Sequence, residues 1–294
     1  MNILIAGGSG LLGKALTKSL EADGHKVFIL SRKSGAANSI QWDGQTTAGW
    51  GSRINEMDVV IHLAGRSTAA WPWTPSKKKS FEDSRIQPGV GLVQAIREAS
   101  HRPSLFVQVS GINHYGLHGA PADETTPPGE DFLAQLTVKW EESTQPVEEL
   151  GVRRIVLRTP PVLSKDNIIM KIIALPVQLF IGGRLGSGTQ PFPWIHIADW
   201  VGATRHLMAD QNAHGAYNLI APTQTTLSEF TKQLASLLHR PYWFPVPAFL
   251  MKMVLGEMSV LILDGRFAQP KRLIQSGYTF QFQSPQEALQ DLYG

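Results

Sequence analysis

The sequence predicts an α/β fold in which a doubly wound parallel sheet is followed by a smaller, mostly helical C-terminal region. Short apolar runs of strand length alternate with helical patterns over the first 160 residues, which is typical of a parallel sheet with helices on both faces. Three glycines at a fixed spacing join the first apolar run to the first helical pattern. Beyond Pro160-Pro161 the chain becomes mainly helical.

The first element is a strand over residues 2–6, which leads through Gly7-x-x-Gly10-x-x-Gly13 into a helix. Gly7 can take a tight turn, Gly10 lets the backbone approach a pyrophosphate, and Gly13 lets the helix lie against the strand. The amides that open the helix would hold the anion. The expected contacts with a dinucleotide are Gly7, Gly10, Leu11, Leu12 and Gly13. A purely structural turn is the alternative, whereas a P-loop and a nucleophile elbow lack their required residues after the turn.

The second strand, over residues 26–31, ends at Ser31 and Arg32. An NAD site usually has an acidic residue near this point, where it binds the ribose 2′-hydroxyl. A guanidinium suits a 2′-phosphate instead, so we expect Ser31 and Arg32 to contact NADP(H). The alternative is that Arg32 is an ordinary surface charge.

A buried parallel strand follows over residues 58–65 and ends in small residues. Ligands of doubly wound sheets bind at the carboxyl ends of the strands. We therefore expect Leu63, Ala64 and Gly65 to approach the cofactor. His62 lies within the strand, which favours a core histidine over a catalytic one.

The later elements continue the alternation up to residue 159. A helical pattern over residues 76–100 is broken at Pro88, and a strand over 105–110 ends at Ser110. The next elements are a helix over 132–150, a strand over 153–159, an apolar helix over 168–180, a glycine-rich loop over 182–188 and, from residue 226, several helices. We expect a dinucleotide-binding domain over residues 1–220 and a mostly helical substrate region over 221–294, with 160–200 contributing to the substrate region.

Composition argues against several classes of function. The 294 residues carry a net charge of +3, but the basic residues are scattered, so we expect no nucleic-acid partner. The chain has no cysteine, and no apolar run approaches the ~20 residues that span a bilayer, so we expect neither disulfides nor a membrane partner. The glycine turn lies too close to Met1 for a signal peptide to precede it, which favours a cytoplasmic protein. His114 and His118 have no third ligand nearby, so we expect no metal site.

Several motifs together resemble the extended short-chain dehydrogenase/reductases. They are the glycine turn, His62-Leu63-Ala64-Gly65, the strand end at Ser110, and Tyr115-Gly116. Further stretches resemble the YfcH-like epimerase-family proteins: Ser84-Arg85-Ile86, Gly182-Gly183-x-x-Gly186-Ser187-Gly188-x-Gln190, Trp194-Ile195-His196-Ile197-x-Asp199, and Leu263-Asp264-Gly265-Arg266. The resemblance covers nearly the whole chain. It implies a Rossmann domain that binds NADP(H), with Arg85 among the cofactor-binding residues, and a C-terminal helical domain from about residue 245 that closes over an unspecified substrate.

The resemblance also implies a Tyr-x-x-x-Lys pair on the helix after Ser110, in which the lysine lowers the pKa of the tyrosine for proton transfer. That helix contains no tyrosine. If Glu141 is aligned with the acidic residue that follows the pair, Leu133 and Thr137 take the two positions. If Lys139 is aligned as the lysine, Gln135 takes the place of the tyrosine.

Three alternatives to the missing pair stay open. Tyr115 can supply the phenol from the loop; His196 or Asp199 can act as the acid; or the protein binds NADP(H) without turnover. Ser110 is placed to hydrogen-bond a substrate carbonyl, and an ordinary serine at a strand end is the alternative. The expected substrate contacts are Arg184, Trp194 and His196, which offer donors and aromatic surface. We therefore carry two hypotheses: an NADP(H)-dependent oxidoreductase or epimerase that acts on an unknown small molecule, and an NADP(H)-binding protein with a structural or sensing role. The oligomeric state is left open.

Overall fold

The computed structural model describes residues 1–32 and 38–294 and is built around a seven-stranded parallel sheet. The strands are β1 (Asn2–Ala6), β2 (Lys26–Ser31), β3 (Ser39–Gln41), β4 (Val59–His62), β5 (Leu105–Gly111), β6 (Arg153–Thr159), β7 (Val162–Leu163), β8 (Ile195–His196) and β9 (Gly215–Asn218). The main sheet has the order β3-β2-β1-β4-β5-β6-β9, while β7 and β8 form a small parallel pair. The order reverses direction beside β1, so the predicted doubly wound Rossmann arrangement is confirmed.

Helices pack on both faces of this sheet. The helices of the described residues are α1 (Leu11–Ala22), α2 (Pro75–Glu98), α3 (Phe132–Glu142), α4 (Ile168–Gln178), α5 (Ile197–Ala209), α6 (Leu227–Leu237), α7 (Ala248–Leu255), α8 (Val260–Leu263), α9 (Lys271–Gln275) and α10 (Pro285–Tyr293). On one face, Leu16 of α1 and Trp200 of α5 join a core with Ile5 and Ile61. On the other face, Leu92 of α2 packs with the opposite side chains of the same strands. The alternation along each strand thus separates two apolar layers.

Two prolines act differently from the sequence-based expectation. α2 runs through Pro88 as one helix, although the sequence predicts a break there. Two glycines after Pro88 let α2 pack closely on neighbouring segments. A Cβ on Gly89 would strike Ser143, and one on Gly91 would strike the Gln45 carbonyl oxygen. The helix predicted over 132–150 instead ends at Glu142 and gives way to a short 3₁₀ turn at Gln145–Val147, because proline at position 146 cannot continue the hydrogen-bond ladder.

A third core lies beyond the sheet, where α4, α6 and α10 pack together. Met170 and Ile173 of α4 contact the group formed by Phe230, Leu234 and Leu289. Residues before and after position 220 therefore share one apolar cluster, which fits a contribution of residues 160–200 to the substrate region; the domain boundary itself stays a prediction. Across the described residues, no helix has the length and apolar character needed to cross a bilayer.

Candidate functional site

The glycine turn lies at the carboxyl end of β1, and two of its glycines are required by the fold. Gly7 has φ 86°, and a Cβ there would lie 2.7 Å from the Ala64 nitrogen. A Cβ on Gly13 would lie 2.5 Å from Cα of Gly8, so α1 packs directly on the turn. Both distances are shorter than real Cβ atoms show, and the backbone atoms that they meet cannot move aside as a flexible side chain could.

Gly10 differs from its two neighbours in the motif. Its φ of −75° and ψ of 175° are accessible to any residue, and a Cβ would meet only the Gly7 carbonyl oxygen, at 3.5 Å. It is the N-cap of the 12-residue α1, which has no side-chain cap. The first amides of a helix have no acceptor within it, so those of Leu11, Leu12 and Gly13 are available to an anion. Neither backbone conformation nor packing explains the glycine at position 10.

The other expected cofactor contacts converge on this turn. β1 pairs with β2 on one side and β4 on the other, with Ala6 opposite Leu30 and His62. The carboxyl ends of the two neighbours therefore flank the turn, which places Arg32 at the end of β2 with its side chain exposed. At the end of β4, Ala64 touches Gly7 as described above. The structure thus brings together Gly7, Gly10, Leu11, Leu12, Gly13, Ser31, Arg32, Leu63, Ala64 and Gly65 at one sheet edge.

Arg85 is buried beside the same edge. Its Nη1 donates to the Phe81 carbonyl oxygen at 3.0 Å, and its Cζ lies 4.9 Å from the centroid of the Trp140 ring. A Cβ built on Gly65 would lie 3.4 Å from the guanidinium carbon. Burial lowers the pKa of Arg85 to about 10, which leaves it charged at neutral pH. A buried cation next to the nucleotide turn favours an anionic ligand.

His62 is a core histidine, as its place in β4 predicts. Its Nε2 lies 3.2 Å from the Trp140 Nε1 and 3.2 Å from the Arg85 carbonyl oxygen. Burial lowers the pKa of His62 to about 4, so the ring is neutral at physiological pH.

Ser110 belongs to a buried ion-pair network rather than to an open cleft. Its hydroxyl donates to Oε1 of Glu141 at 2.7 Å. Arg158 donates two hydrogen bonds to the same carboxylate, from Nε to Oε1 at 3.0 Å and from Nη2 to Oε2 at 2.9 Å. Burial acts to raise the pKa of Glu141, but the hydrogen bonds and charge of Arg158 outweigh it, so the pKa is lowered and the carboxylate is ionised.

Tyr115 extends this network. Its side chain is 1% exposed, and its hydroxyl accepts from Arg158 Nη1 at 2.9 Å and donates to Asn218 Oδ1 at 2.8 Å. Burial raises the pKa of Tyr115, which opposes its use as a phenolate. The hydroxyl of Tyr115 thus has a protein donor and a protein acceptor, and the hydroxyl of Ser110 donates to a protein carboxylate. The catalytic roles of these two residues stay predictions, and this geometry supplies a structural alternative for each.

The residues that the two alignments use lie on different sides of α3. Leu133 and Thr137 are buried, and the Thr137 Cγ2 lies 3.2 Å from a Cβ built on Gly111 at the end of β5. Gln135 is exposed and donates to the Gly129 carbonyl oxygen, and Lys139 is exposed and pairs with Glu82 at 2.8 Å. Of the two alignments, the one that uses Leu133 and Thr137 therefore has both residues buried, with Thr137 next to the end of β5. Neither side chain is an ionisable acid.

The three expected substrate residues lie in different environments. Trp194 is 1% exposed, and its Nε1 donates to the Thr223 carbonyl oxygen. His196 is also buried, where its Nδ1 caps α5 and its Nε2 lies 3.2 Å from Asp291. Arg184 is exposed. Their substrate roles stay predictions, and the two aromatic side chains already have structural contacts in the third core.

Sequence reasoning missed the partners that bury Ser110 and Tyr115. Asn218 and Arg158 come from β9 and β6, and Glu141 comes from α3. One signal was present: Arg158 follows the apolar centre of its strand, Ile155-Val156-Leu157, and a charged residue buried at such a place needs a partner. Nothing in the order of residues says which partner it has.

Removing the phenol of Tyr115 is expected to cost stability and not cofactor affinity. Tyr115→Phe leaves Arg158 Nη1 and Asn218 Oδ1 without a partner, which lowers the free energy of unfolding by ~1–3 kcal/mol. Urea denaturation measures this loss. Tyr293→Phe is the matched control, because no hydrogen bond of its hydroxyl is found among the described residues, and it should be nearly neutral. A large loss of NADPH affinity in Tyr115→Phe would mean that this residue shapes the nucleotide pocket.

Comparison with known proteins agrees with this geometry. Residues 3–219 match the NAD dependent epimerase/dehydratase family, and residues 246–292 match a domain of unknown function, DUF1731. The epimerase family protein SH2119 of Staphylococcus haemolyticus is 34% identical over 293 residues, which is 98% of each chain. Human SDR39U1, also an epimerase family protein, is 33% identical over 99% of each chain. A crystal structure of human SDR39U1 (isoform 2) with NADPH matches at a TM-score of 0.92 and 33% identity, over 100% of this chain and 99% of that one.

These matches confirm the resemblance drawn from the motifs, both for the sheet domain and for the C-terminal helices. The glycine turn, the strand order and the C-terminal region all fall within the matched residues. The chain is therefore a member of the NAD dependent epimerase/dehydratase family of extended short-chain dehydrogenase/reductases, with a C-terminal DUF1731 domain.

Proposed function

We propose that this protein binds NADP(H) at the glycine turn and acts as an oxidoreductase or epimerase on a small molecule. The observation that carries the proposal is Gly10, a glycine that the fold itself does not need, at the open N-terminus of α1. A glycine at this position would let the protein backbone come close to a pyrophosphate, which explains why no side chain is present there. The crystal structure of the relative SDR39U1 with NADPH supports the same cofactor.

The residues present fit such a cofactor. The amides of Leu11, Leu12 and Gly13 would hold the diphosphate at the start of α1. Arg32 at the end of β2 would meet the 2′-phosphate, and Arg85 beneath Gly65 would add positive charge. When bound, the cofactor supplies or accepts a hydride at its nicotinamide ring. The work of the protein is to orient that ring and to position the substrate.

NADPH is expected to bind at least about tenfold more tightly than NADH, and Arg32→Ala is expected to remove most of that preference. Loss of the charge-assisted contact to the 2′-phosphate accounts for ~1.5–3 kcal/mol. Titration followed by cofactor fluorescence measures both affinities. Arg97→Ala, at an exposed arginine in the last turn of α2, is the control and should change neither affinity. Equal affinities for the two cofactors in the unmodified protein would contradict the assignment of Arg32.

A second candidate, cofactor binding without turnover, is favoured by one observation on α3. In the alignment whose two positions are buried, the side chains are Leu133 and Thr137, and neither can move a proton at neutral pH as the tyrosine of the usual pair does. The protein would then use NADP(H) occupancy structurally or as a signal.

Turnover separates the two candidates. The purified protein loaded with NADPH is mixed with a panel of carbonyl metabolites, and absorbance reports oxidation of the cofactor. Protein loaded with NADP⁺ is mixed with nucleotide sugars, because an epimerase of this kind first takes a hydride from its substrate and then returns it. NMR of the products detects the changed stereocentre, since epimers have the same mass and no net oxidation occurs. Consumption or isomerisation excludes the binding-only role, and silence across a broad panel weakens the enzymatic one.

A further inference from the structure

The C-terminal half of the chain exposes a large apolar surface, which we call the α4–α7 surface. It consists of Ile168, Ile172, Leu175, Leu179, Phe180, Ile181, Trp243, Phe244, Phe249, Leu250, Met253 and Val254, which are 37–73% exposed. α4 is apolar on two sides. Met170, Ile173 and Val177 pack into the third core, while Ile168, Ile172 and Leu175 follow helical spacing on the opposite side and face solvent.

Backbone hydrogen bonds make this surface continuous. The Gly182 carbonyl oxygen, just after α4, accepts from the amides of Trp243 and Phe244 at 2.9 and 3.1 Å. The Trp243 indole donates to the Phe180 carbonyl oxygen at 2.9 Å. The segment that leads into α7 is bound to the same loop, because the Val246 amide donates to the Arg184 carbonyl oxygen at 2.8 Å. The exposed apolar residues at the end of α4 and at the start of α7 are therefore connected through these two loops. Monomeric proteins rarely leave contiguous apolar patches beyond a few hundred Å² uncovered.

Phe180 shows that the fold holds an aromatic side chain outward at a cost. Its φ is 66°, a left-handed conformation that is unfavourable for a bulky residue, and its side chain is 53% exposed. The guanidinium of Arg240 stacks on its ring, with Cζ 4.4 Å from the centroid. Strained residues persist where the surroundings impose them, often at binding sites.

Charge around the α4–α7 surface has one sign. Residues 167–184 and 239–256 contain Lys171, Arg184, Arg240 and Lys252 and no aspartate or glutamate. The flanking acids lie just outside: exposed Asp166 follows Lys165, and Glu257 forms an ion pair with Lys78. A second copy of the chain would bring like charges together across a symmetric contact. The complementary partner is anionic and apolar.

We propose that the α4–α7 surface docks on the surface of an anionic lipid bilayer, with its apolar side chains among the acyl chains and its lysines and arginines at the headgroups. Aromatic and aliphatic residues rimmed by basic ones are the composition of interfacial membrane contacts. The sequence-based expectation of no membrane partner rested on the lack of a spanning run, and a contact in the plane of the interface needs none. This inference goes beyond the proposed function and does not depend on it.

Co-sedimentation tests this proposal with the full chain and two vesicle preparations, one of phosphatidylcholine alone and one of equal parts phosphatidylcholine and phosphatidylglycerol. We expect binding to the anionic vesicles, weakened by salt and by Lys171→Gln and Lys252→Gln, each by about fivefold. Phe249→Asp with Met253→Asp should weaken it about tenfold or more, because both side chains leave the acyl region. Ile274→Asp is the matched control: Ile274 is 52% exposed on α9 outside this surface, and its variant should bind like the unmodified chain.

Each variant should fold like the unmodified chain, because all of the substituted side chains are exposed, and thermal melting checks this. Failure to sediment with either preparation overturns the proposal, and so does equal binding to both. Light scattering is the second measurement. A dimer that Phe249→Asp dissociates would assign the α4–α7 surface to a second copy and would likewise overturn the membrane contact.

Discussion

Gly10→Val is expected to leave the protein folded and to weaken NADPH binding by about 100-fold or more, which corresponds to ~2.7 kcal/mol. The backbone of Gly10 is in an ordinary extended conformation, and the nearest atom to an added Cβ is 3.5 Å away. The Cβ of a side chain therefore fits the protein, and we expect the two methyl groups of valine to occupy the space that the proposed diphosphate needs. Fluorescence titration measures the affinity, and thermal melting measures the fold.

Gly13→Ala supplies the contrast. Its Cβ would lie 2.5 Å from Cα of Gly8, so α1 must move away from the turn, and overpacking of this kind costs ~1–3 kcal/mol. A lowered melting temperature is expected even without cofactor. If Gly10→Val bound NADPH as tightly as the unmodified chain, the diphosphate would not lie on this turn and the proposed function would lose its main support.

The nucleotide edge of the sheet could be predicted because its signals are local. A strand, three glycines and a helix occupy the first 22 residues, and the α10 capping box joins Ser284 and Glu287, three residues apart. Short-range steric rules decide such features, so the order of residues is sufficient. Arg32 belongs to the same group, because strand length alone brings it to the end of β2.

The Tyr115 network could not be predicted because strand register creates it. β5 and β6 pair so that Ser110 lies opposite Arg158, and β6 and β9 pair so that Arg158 lies opposite Asn218. The hydrogen bond between Tyr115 and Asn218 spans 103 positions in sequence. Resemblance directed attention to the serine and the tyrosine as catalytic groups, whereas their partners emerge only from the packed sheet. The close packing of α2 at Gly89 and Gly91 against distant segments is likewise absent from the local pattern around Pro88.

Arg158→Met is expected to lower the free energy of unfolding at pH 7 by ~3–5 kcal/mol, since it leaves the buried charge of Glu141 without its partner. The side chains of Arg158 and Glu141 are 8% and 13% exposed, so water replaces the lost hydrogen bonds only in part. Tyr115 would lose a donor as well. Urea denaturation at a series of pH values measures the effect.

The pH dependence identifies the cause of this destabilisation. In the unmodified chain the pKa of Glu141 is lowered from its ordinary 4.5, so its stabilising contribution is complete above that value and is lost as the pH falls through the lowered pKa. In Arg158→Met, burial dominates and raises the pKa of Glu141. The penalty of the uncompensated charge is then absent below about pH 4.5 and grows as the pH rises. The two proteins should therefore converge in stability toward acid.

Two controls separate this mechanism from a loss of packing. Arg53→Met breaks a surface pair with Glu56, whose side chains are 39% and 54% exposed, and should cost less than ~1 kcal/mol. Adding Glu141→Gln to Arg158→Met removes the buried charge and should recover part of the stability at pH 7. A destabilisation of Arg158→Met that is the same at every pH and is not relieved by Glu141→Gln would mean that Arg158 stabilises the fold through its bulk. The ion pair would then not be what holds Ser110 and Tyr115 in place.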